Sequence, residues 1–258
     1  MNKIWALSDI HLPGTSIKSM DKYGDIWINH VKVIFDNVNK LCAKDDLLLI
    51  PGDISWATNI ERAQKDFEYL SQFPCRIIMC PGNHDQWSKV QPEILLKALP
   101  KNVTWIQDVC FRLGNVAISG CCFWEFQNVF PWPNHCEIMC NREKKQREAR
   151  KEFDKALKIL PDEVDIIKIL MLHVPPIPYD AHQYTFSTEI ASKNVDYCVF
   201  GHAHNVTEYL PACDAKIDGT QYYLCSCDWL KMTPKQICEF ESDFQPYIIN
   251  EKGKITYL

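Results

Sequence analysis

The sequence predicts an α/β protein built on a mostly parallel, layered sheet, and three features point that way. Short apolar runs of strand length alternate with stretches whose apolar residues recur at helical spacing, which is the order of parallel strands joined by crossover helices. Five of the apolar runs end in the same kind of polar turn, rich in Asp, Asn, His and Gly. With 258 residues, 47% hydrophobic and 24% charged, the chain can bury a sizeable core without staples.

The first strand is Lys3 to Ser8, running into Asp9 and His11. Trp27, Val31, Ile34, Phe35, Val38, Leu41 and Cys42 then follow at helical spacing, predicting an amphipathic helix against a core. A second strand, Leu47 to Ile50, leads to Pro51-Gly52-Asp53, and Ile60, Ala63, Phe67 and Leu70 restore the helical period. The third strand, Arg76 to Cys80, ends in Pro81-Gly82-Asn83-His84-Asp85. Pro81 cannot donate to a sheet ladder and Gly82 tolerates unusual φ, so the backbone must leave the sheet there and project the polar side chains that follow. A short helix over Glu93 to Leu99, closed by Pro100, precedes strands at Val103 to Ile106 and Val116 to Ser119.

Residues 121–140 are the least regular stretch, an aromatic-rich insertion in which Phe123, Trp124, Phe126, Phe130 and Trp132 crowd among prolines, read first as a lid packed over the main body and alternatively as a substrate-facing wall. Asn141 to Leu160 reads as a charged helix whose basic residues, among them Arg142, Lys144, Lys145, Arg147, Arg150 and Lys151, are interleaved with acidic ones, the pattern of a solvated face. Strands then recur at Ile166 to Leu172, running into His173, and at Tyr197 to Phe200, running into Gly201-His202-Ala203-His204. Lys216 to Leu224 and a final pair, Tyr247 to Ile249 and Ile255 to Tyr257, close the chain, which reads as one domain over 1–258.

Composition excludes several classes. No apolar run approaches the roughly 20 residues needed to cross a bilayer, so no membrane span is predicted. The N-terminus shows no leader-like segment. Thirteen cysteines, many inside predicted strands and helices, behave as small hydrophobes and fit a reducing, cytoplasmic setting. His135-Cys136 with Cys140 has no second pair at finger-like spacing. The net charge of −5 argues against nucleic acid as a default partner, and nothing in the pattern sets an oligomeric state.

Singly, each polar turn residue has a structural explanation: Asp53 as a helix cap, Asn83 as a turn residue, His173 as a satisfied core histidine. Together, Asp9, His11, Asp53, Asn83, His173, His202 and His204 are seven carboxylate, amide and imidazole groups that a parallel sheet aligns on one edge. Such a nitrogen and oxygen set without thiolates suits Mn²⁺, Fe or Zn²⁺. Seven ligands exceed one ordinary site, so two metals sharing a carboxylate is the economical arrangement. Their charge against two carboxylates favours an anionic substrate and acidifies a bound water.

Asp9-x-His11, Gly52-Asp53, Gly82-Asn83-His84-Asp85, His173 and Gly201-His202-x-His204, in this order, resemble the calcineurin-like metallophosphoesterases. The resemblance implies a four-layer αββα sandwich of two packed mixed sheets flanked by helices. It implies a first metal site of Asp9, His11, Asp53 and His204 and a second of Asp53, Asn83, His173 and His202, with Asp53 bridging and Mn²⁺ the leading ion. His84, paired with Asp85, would contact the phosphate and assist the leaving group. Many members carry Asp three residues after the Gly-Asp block, where this chain has Trp56, and the surrounding residues are similar to a little-characterised microbial branch of predicted phosphohydrolases. The expected reaction is hydrolysis of a phosphodiester or phosphomonoester by attack of a metal-bridging hydroxide. A nuclease and a non-catalytic metal-binding scaffold for a protein partner are the alternatives.

Overall fold

In the computed structural model the described residues are 1–15, 19–123, 142–242 and 244–258, with backbone alone for 142–145. The aromatic insertion therefore lies outside the described residues beyond Phe123, as do His135, Cys136 and Cys140. So do the side chains of Arg142, Lys144 and Lys145.

Each of the sequence's apolar runs becomes a strand of one of two mixed sheets. In the first, β1 (Asn2–Ala6), β2 (Leu47–Pro51), β3 (Arg76–Cys80) and β4 (Val103–Trp105) are parallel neighbours in that order, and β11 (Lys235–Phe240) pairs antiparallel with the free side of β1. The second has eight strands: β5 (Val109–Leu113), β6 (Val116–Cys121), β7 (Ile167–Leu172), β8 (Tyr197–Phe200), β9 (Asp214–Ile217), β10 (Thr220–Leu224), β12 (Tyr247–Asn250) and β13 (Ile255–Tyr257). Their spatial order is β13-β12-β5-β6-β7-β8-β10-β9, with a parallel centre from β6 to β10 and antiparallel flanks.

Side-chain alternation along the strands sorts the core into three layers of contact. Ile4 and Ala6, Leu47 and Leu49, Ile78 and Cys80 point one way and meet Phe111, Ile118, Ile169, Met171 and Val199 of the other sheet. Their neighbours Trp5, Leu48, Ile50, Ile77 and Met79 point the other way, onto Ile34 and Val38 of α1 (His30–Leu41), Phe67 and Leu70 of α2 (Gln64–Leu70) and Leu95 of α3 (Pro92–Ala98). On the far side, Leu170, Leu172, Cys198 and Phe200 pack against Phe153 and Leu157 of α4 (Arg142–Lys158) and Phe186 and Ile190 of α5 (Thr185–Ser192). The result is helices, sheet, sheet, helices. Each large apolar side chain buried in these layers contributes about 1.5–3 kcal/mol.

Local chemistry sets several boundaries. The helical period beginning at Trp27 is broken: Trp27 ends a 3-10 turn, Asn29 takes φ +57°, and α1 starts only at His30, although Trp27 stays buried. The run Lys216 to Leu224 splits into the β9–β10 hairpin because Asp218 and Gly219 both adopt positive φ, +50° and +92°, as a two-residue hairpin turn requires. Leu99, restricted by Pro100, leaves the helical region and ends α3. The sequence pattern did not announce β5, β11 or α5. No helix among the described residues is long and apolar enough to cross a membrane.

Candidate metal centre

The carboxyl ends of β1, β2, β3, β7 and β8 meet on one rim, and the loops leaving them are laced together before any side chain is considered. The loops after β1 and β2 continue the parallel ladder: Asp9 N–H donates to the Gly52 carbonyl at 3.1 Å, His11 N–H to Asp53 at 3.1 Å, Leu12 N–H to Ile54 at 2.8 Å and Trp56 N–H to Leu12 at 2.9 Å. Ser8 N–H reaches Cys225 at 2.7 Å, which ties the rim to the chain after β10. Asp9, His11, Asp53 and His202 hold φ values of +59°, +43°, +51° and +67°. Each such non-glycine conformation costs on the order of 1–3 kcal/mol, and four on one rim mark a place where geometry was kept for something other than stability.

The loops also pack backbone against carboxylate. A Cβ added at Gly82 would collide with the Asp53 backbone nitrogen and its Oδ1, and one at Gly201 would strike Ser8 Oγ and Asp9 Oδ2. These two glycines allow the ligand-bearing turns to close on one another.

Two clusters result. Asp9, His11 and His204 present ligand atoms within 4.8 Å of one another, and so do Asp53, His173 and His202. In the first, His204 Nε2 lies 3.3 Å from Asp9 Oδ1 and 3.3 Å from His11 Nε2. In the second, His173 Nε2 lies 3.4 Å from Asp53 Oδ2 and 2.8 Å from Asn83 Oδ1. Asp53 Oδ2 joins the two, being 3.8 Å from His11 Nε2 and 3.9 Å from His84 Nε2 as well. All seven residues anticipated as ligands are thus drawn onto one patch, with His84 at its open side: its side chain is 42% exposed, whereas Asp9 and His173 are fully buried.

Hydrogen bonds behind the patch orient it. His173 Nδ1–H points at the Pro51 carbonyl at 3.1 Å and His204 Nδ1–H at Asp228 Oδ1 at 2.9 Å, which leaves each Nε2 lone pair facing the cluster. Asp9 accepts from the His202 backbone N–H at 3.0 Å and from Ser226 Oγ at 3.1 Å. Asp53 Oδ1 accepts the His84 N–H at 2.9 Å. The buried carboxylate of Asp85 accepts Ile54 N–H at 2.9 Å, Ser55 N–H at 3.1 Å, Gly82 N–H at 2.9 Å and Trp87 Nε1–H at 3.0 Å, so it clamps the two turns that carry Asp53 and His84. Burial and the nearby Asp53 charge push Asp85 up to about 7 against those backbone bonds.

Charge explains what the patch is suited to hold. Burial works against every charged form here, yet Asp9 and Asp53 are held below the ordinary carboxylate range by His204 and His173 respectively. In return His173 is raised to about 9 by Asp53, and His204 well above its usual value by Asp9 and Asp228. His11 goes the other way: burial drives it down to about 3, which makes it a neutral imidazole. A buried set that draws protons onto its imidazoles is short of positive charge, and divalent cations displacing those protons satisfy both the carboxylates and the imidazoles. The donors are hard or borderline nitrogen and oxygen, and the residues fit two such ions.

A profile of the calcineurin-like phosphoesterase family matches residues 2–206. The chain belongs to that family. Membership makes it a metal-dependent phosphoester hydrolase with an αββα sandwich, and the matched span covers every residue of the two clusters. Among relatives of this phosphoesterase, a probable cyclic nucleotide phosphodiesterase of Coxiella burnetii is 28% identical over 263 residues, spanning 97% of this chain and 89% of that protein. Two solved structures align along nearly all of the chain. One is a protein of unknown function from Aquifex aeolicus, 16% identical with a TM-score of 0.47 over 92% of this chain and 96% of that one. The other, from Thermus thermophilus, is 11% identical with a TM-score of 0.47 over 99% and 97%.

Three participants in this phosphoesterase site escaped the sequence reading. Asp228, the partner of His204, follows the strand Thr220–Leu224 at the same rim, so the rule of a polar turn after an apolar run applied to it too. Trp56, noted only as a departure from the family pattern, stacks on His11 with ring centroids 4.8 Å apart and an interplanar angle of 14°. The Pro51 carbonyl carried no side-chain signal at all.

Proposed function

We propose that this phosphoesterase is a dinuclear enzyme that hydrolyses a phosphodiester, with Mn²⁺ the leading ion and Fe or Zn²⁺ its competitors. The observation that carries the reading is Asp53 Oδ2, placed 3.4 Å from His173 Nε2 and 3.8 Å from His11 Nε2, one carboxylate oxygen between two clusters. Asp9, His11 and His204 would hold one ion, Asn83, His173 and His202 the other, and Asp53 both. When bound, the two ions would supply positive charge to the phosphoryl oxygens and bring the pKa of a water to about 7.

The chain's own residues supply the rest. His84 stands beside Asp53 on the open side, from which it would deliver a proton to the leaving oxygen. Asp85 holds the turn that presents it. Water is the nucleophile, so the scheme asks no side chain to attack phosphorus.

A diester is preferred over a monoester because the Coxiella relative, matched over 97% of this chain, is named a probable cyclic nucleotide phosphodiesterase. Eleven described cysteines are free thiols, which supports a reducing, cytoplasmic setting. Two basic residues of α4 support a small substrate over a nucleic acid, because acidic neighbours already engage them: Arg150 with Asp154 and Glu189, and Lys155 with Asp108 and Glu251. The test is hydrolysis of bis-p-nitrophenyl phosphate, p-nitrophenyl phosphate and 3′,5′-cyclic AMP by protein stripped of metal and reloaded with Mn²⁺. Metal-dependent turnover favouring the diesters is expected. Turnover of the monoester alone would overturn the diesterase reading, and none with any metal would overturn the enzyme reading.

A further inference from the structure

Of the histidines in the two clusters, His173 and His204 are each fixed by a hydrogen bond from Nδ1, to Pro51 and to Asp228. His11 is held differently. It is only 3% exposed, and among the described residues its Nδ1 has no hydrogen-bond partner. What faces the ring is aromatic: Trp56 lies nearly parallel to it at 4.8 Å and 14°, and Trp27 meets it tilted at 5.9 Å and 55°. The same indole of Trp56 lies 4.3 Å from the His84 ring, centroid to centroid, at 51°.

Trp56 is itself anchored at both ends. Its backbone N–H donates to the Leu12 carbonyl at 2.9 Å, extending the ladder that carries His11, and its Nε1–H reaches Met20 Sδ at 3.2 Å. A rigid, uncharged plane therefore touches both an anticipated metal ligand and the anticipated proton donor, whose own rings meet edge-on with centroids 5.8 Å apart.

We propose that Trp56 is a positioning residue that replaces, by stacking, the Nδ1 hydrogen bond that orients His173 and His204, and that it sets His11 and His84 relative to each other. The inference rests on the metal-site reading above and goes beyond it by assigning a role to a residue outside the ligand set. A ring free to swivel about its Cβ–Cγ bond presents Nε2 to the cluster only part of the time, so loss of the stack weakens one ion and spares the other. Aromatic pairs favour this offset, near-parallel geometry, and a second aromatic residue reproduces it where an aliphatic one of comparable bulk does not.

The experiment is calorimetric titration of metal-free protein with Mn²⁺ for wild type, Trp56→Phe, Trp56→Leu and Trp56→Met, with thermal unfolding of the metal-free forms alongside. Expected is loss of about 10- to 100-fold in affinity for one of two ions in the Leu and Met variants, the size found when the support of a metal ligand is removed, with recovery in Trp56→Phe. In the metal-free wild type, the His11 ring-proton NMR signals, assigned by His11→Gln, should be displaced upfield by the indole. Two ions bound at wild-type affinity by the aliphatic variants, equal losses in the Phe and Leu variants, or undisplaced His11 signals would each overturn the role of the stack. Wild type taking up fewer than two ions would instead overturn the metal reading beneath it.

Discussion

Asp53 has two oxygens and four partners that matter. Oδ1 fixes the His84 backbone at 2.9 Å, while Oδ2 faces His173, His11 and His84 within 3.4 to 3.9 Å. Because one oxygen secures the turn and the other faces both clusters, ligation and the placement of His84 are linked through a single side chain. The two functions separate experimentally at His84, which is at the open side and outside both clusters. His84→Ala should keep two ions by elemental analysis yet lose about 10²- to 10⁴-fold in turnover, the contribution of a positioned proton donor. Asp228 makes the complementary case. It touches His204 Nδ1 and the Asn205 N–H, each at 2.9 Å, and belongs to neither cluster. Asp228→Asn should lower Mn²⁺ affinity by about 10- to 100-fold in the same titration while leaving His84 in place. Affinity unchanged in that variant would remove Asp228 from the site.

At the scale of elements, the working parts are the turns that leave the strands, since the strands only bring those turns to a common rim. Gly82 shows how closely the turns approach, with no room for a methyl group against the Asp53 backbone. Backbone cannot yield as a flexible side chain does, so Gly82→Ala should displace the β2 and β3 turns relative to each other. The expected outcome is loss of both ions in calorimetry with far-ultraviolet circular dichroism kept, because the sheet cores lie below the rim. The turns were also the most legible part of the sequence: a proline or glycine followed by Asp, Asn or His after an apolar run, or the His or Asp directly ending such a run, marked Asp9, Asp53, His173 and His202, and His11 and His204 follow two residues after Asp9 and His202. Asp85 was legible as a residue, but its clamping of the two turns was not, since the hydrogen bonds from Ile54 and Ser55 depend on two turns 30 residues apart meeting in space. The edges were harder to read. In β5, Arg112 interrupts the apolar run and is accommodated by Glu163 at 3.0 Å, a long-range pairing that no local pattern contains. In α5, only Phe186 and Ile190 are large buried residues, too few for a helical period to stand out over eight residues.

At the scale of the whole molecule, two sheets stacked face to face place the carboxyl ends of five parallel strands on one rim, three from the first sheet and two from the second. That is why neither sheet alone carries a complete site: Asp9, His11, Asp53 and Asn83 leave the first, and His173, His202 and His204 leave the second. The layering was legible in the strand-helix alternation of the first hundred residues, which leaves few other arrangements; in the fold, each strand's alternating residues then divide between the central layer and an outer one. The pairing of the two sheets was carried by the family resemblance, as no local pattern encodes which faces meet. The central claim, one carboxylate shared by two ions across the junction of the sheets, is tested most directly by anomalous X-ray diffraction at the manganese edge from crystals of the Mn²⁺-loaded protein. Two peaks about 3.5–4 Å apart, the spacing of two-metal sites, with Asp53 Oδ2 between them, are predicted. A single peak, or two that do not share Asp53, would contradict it.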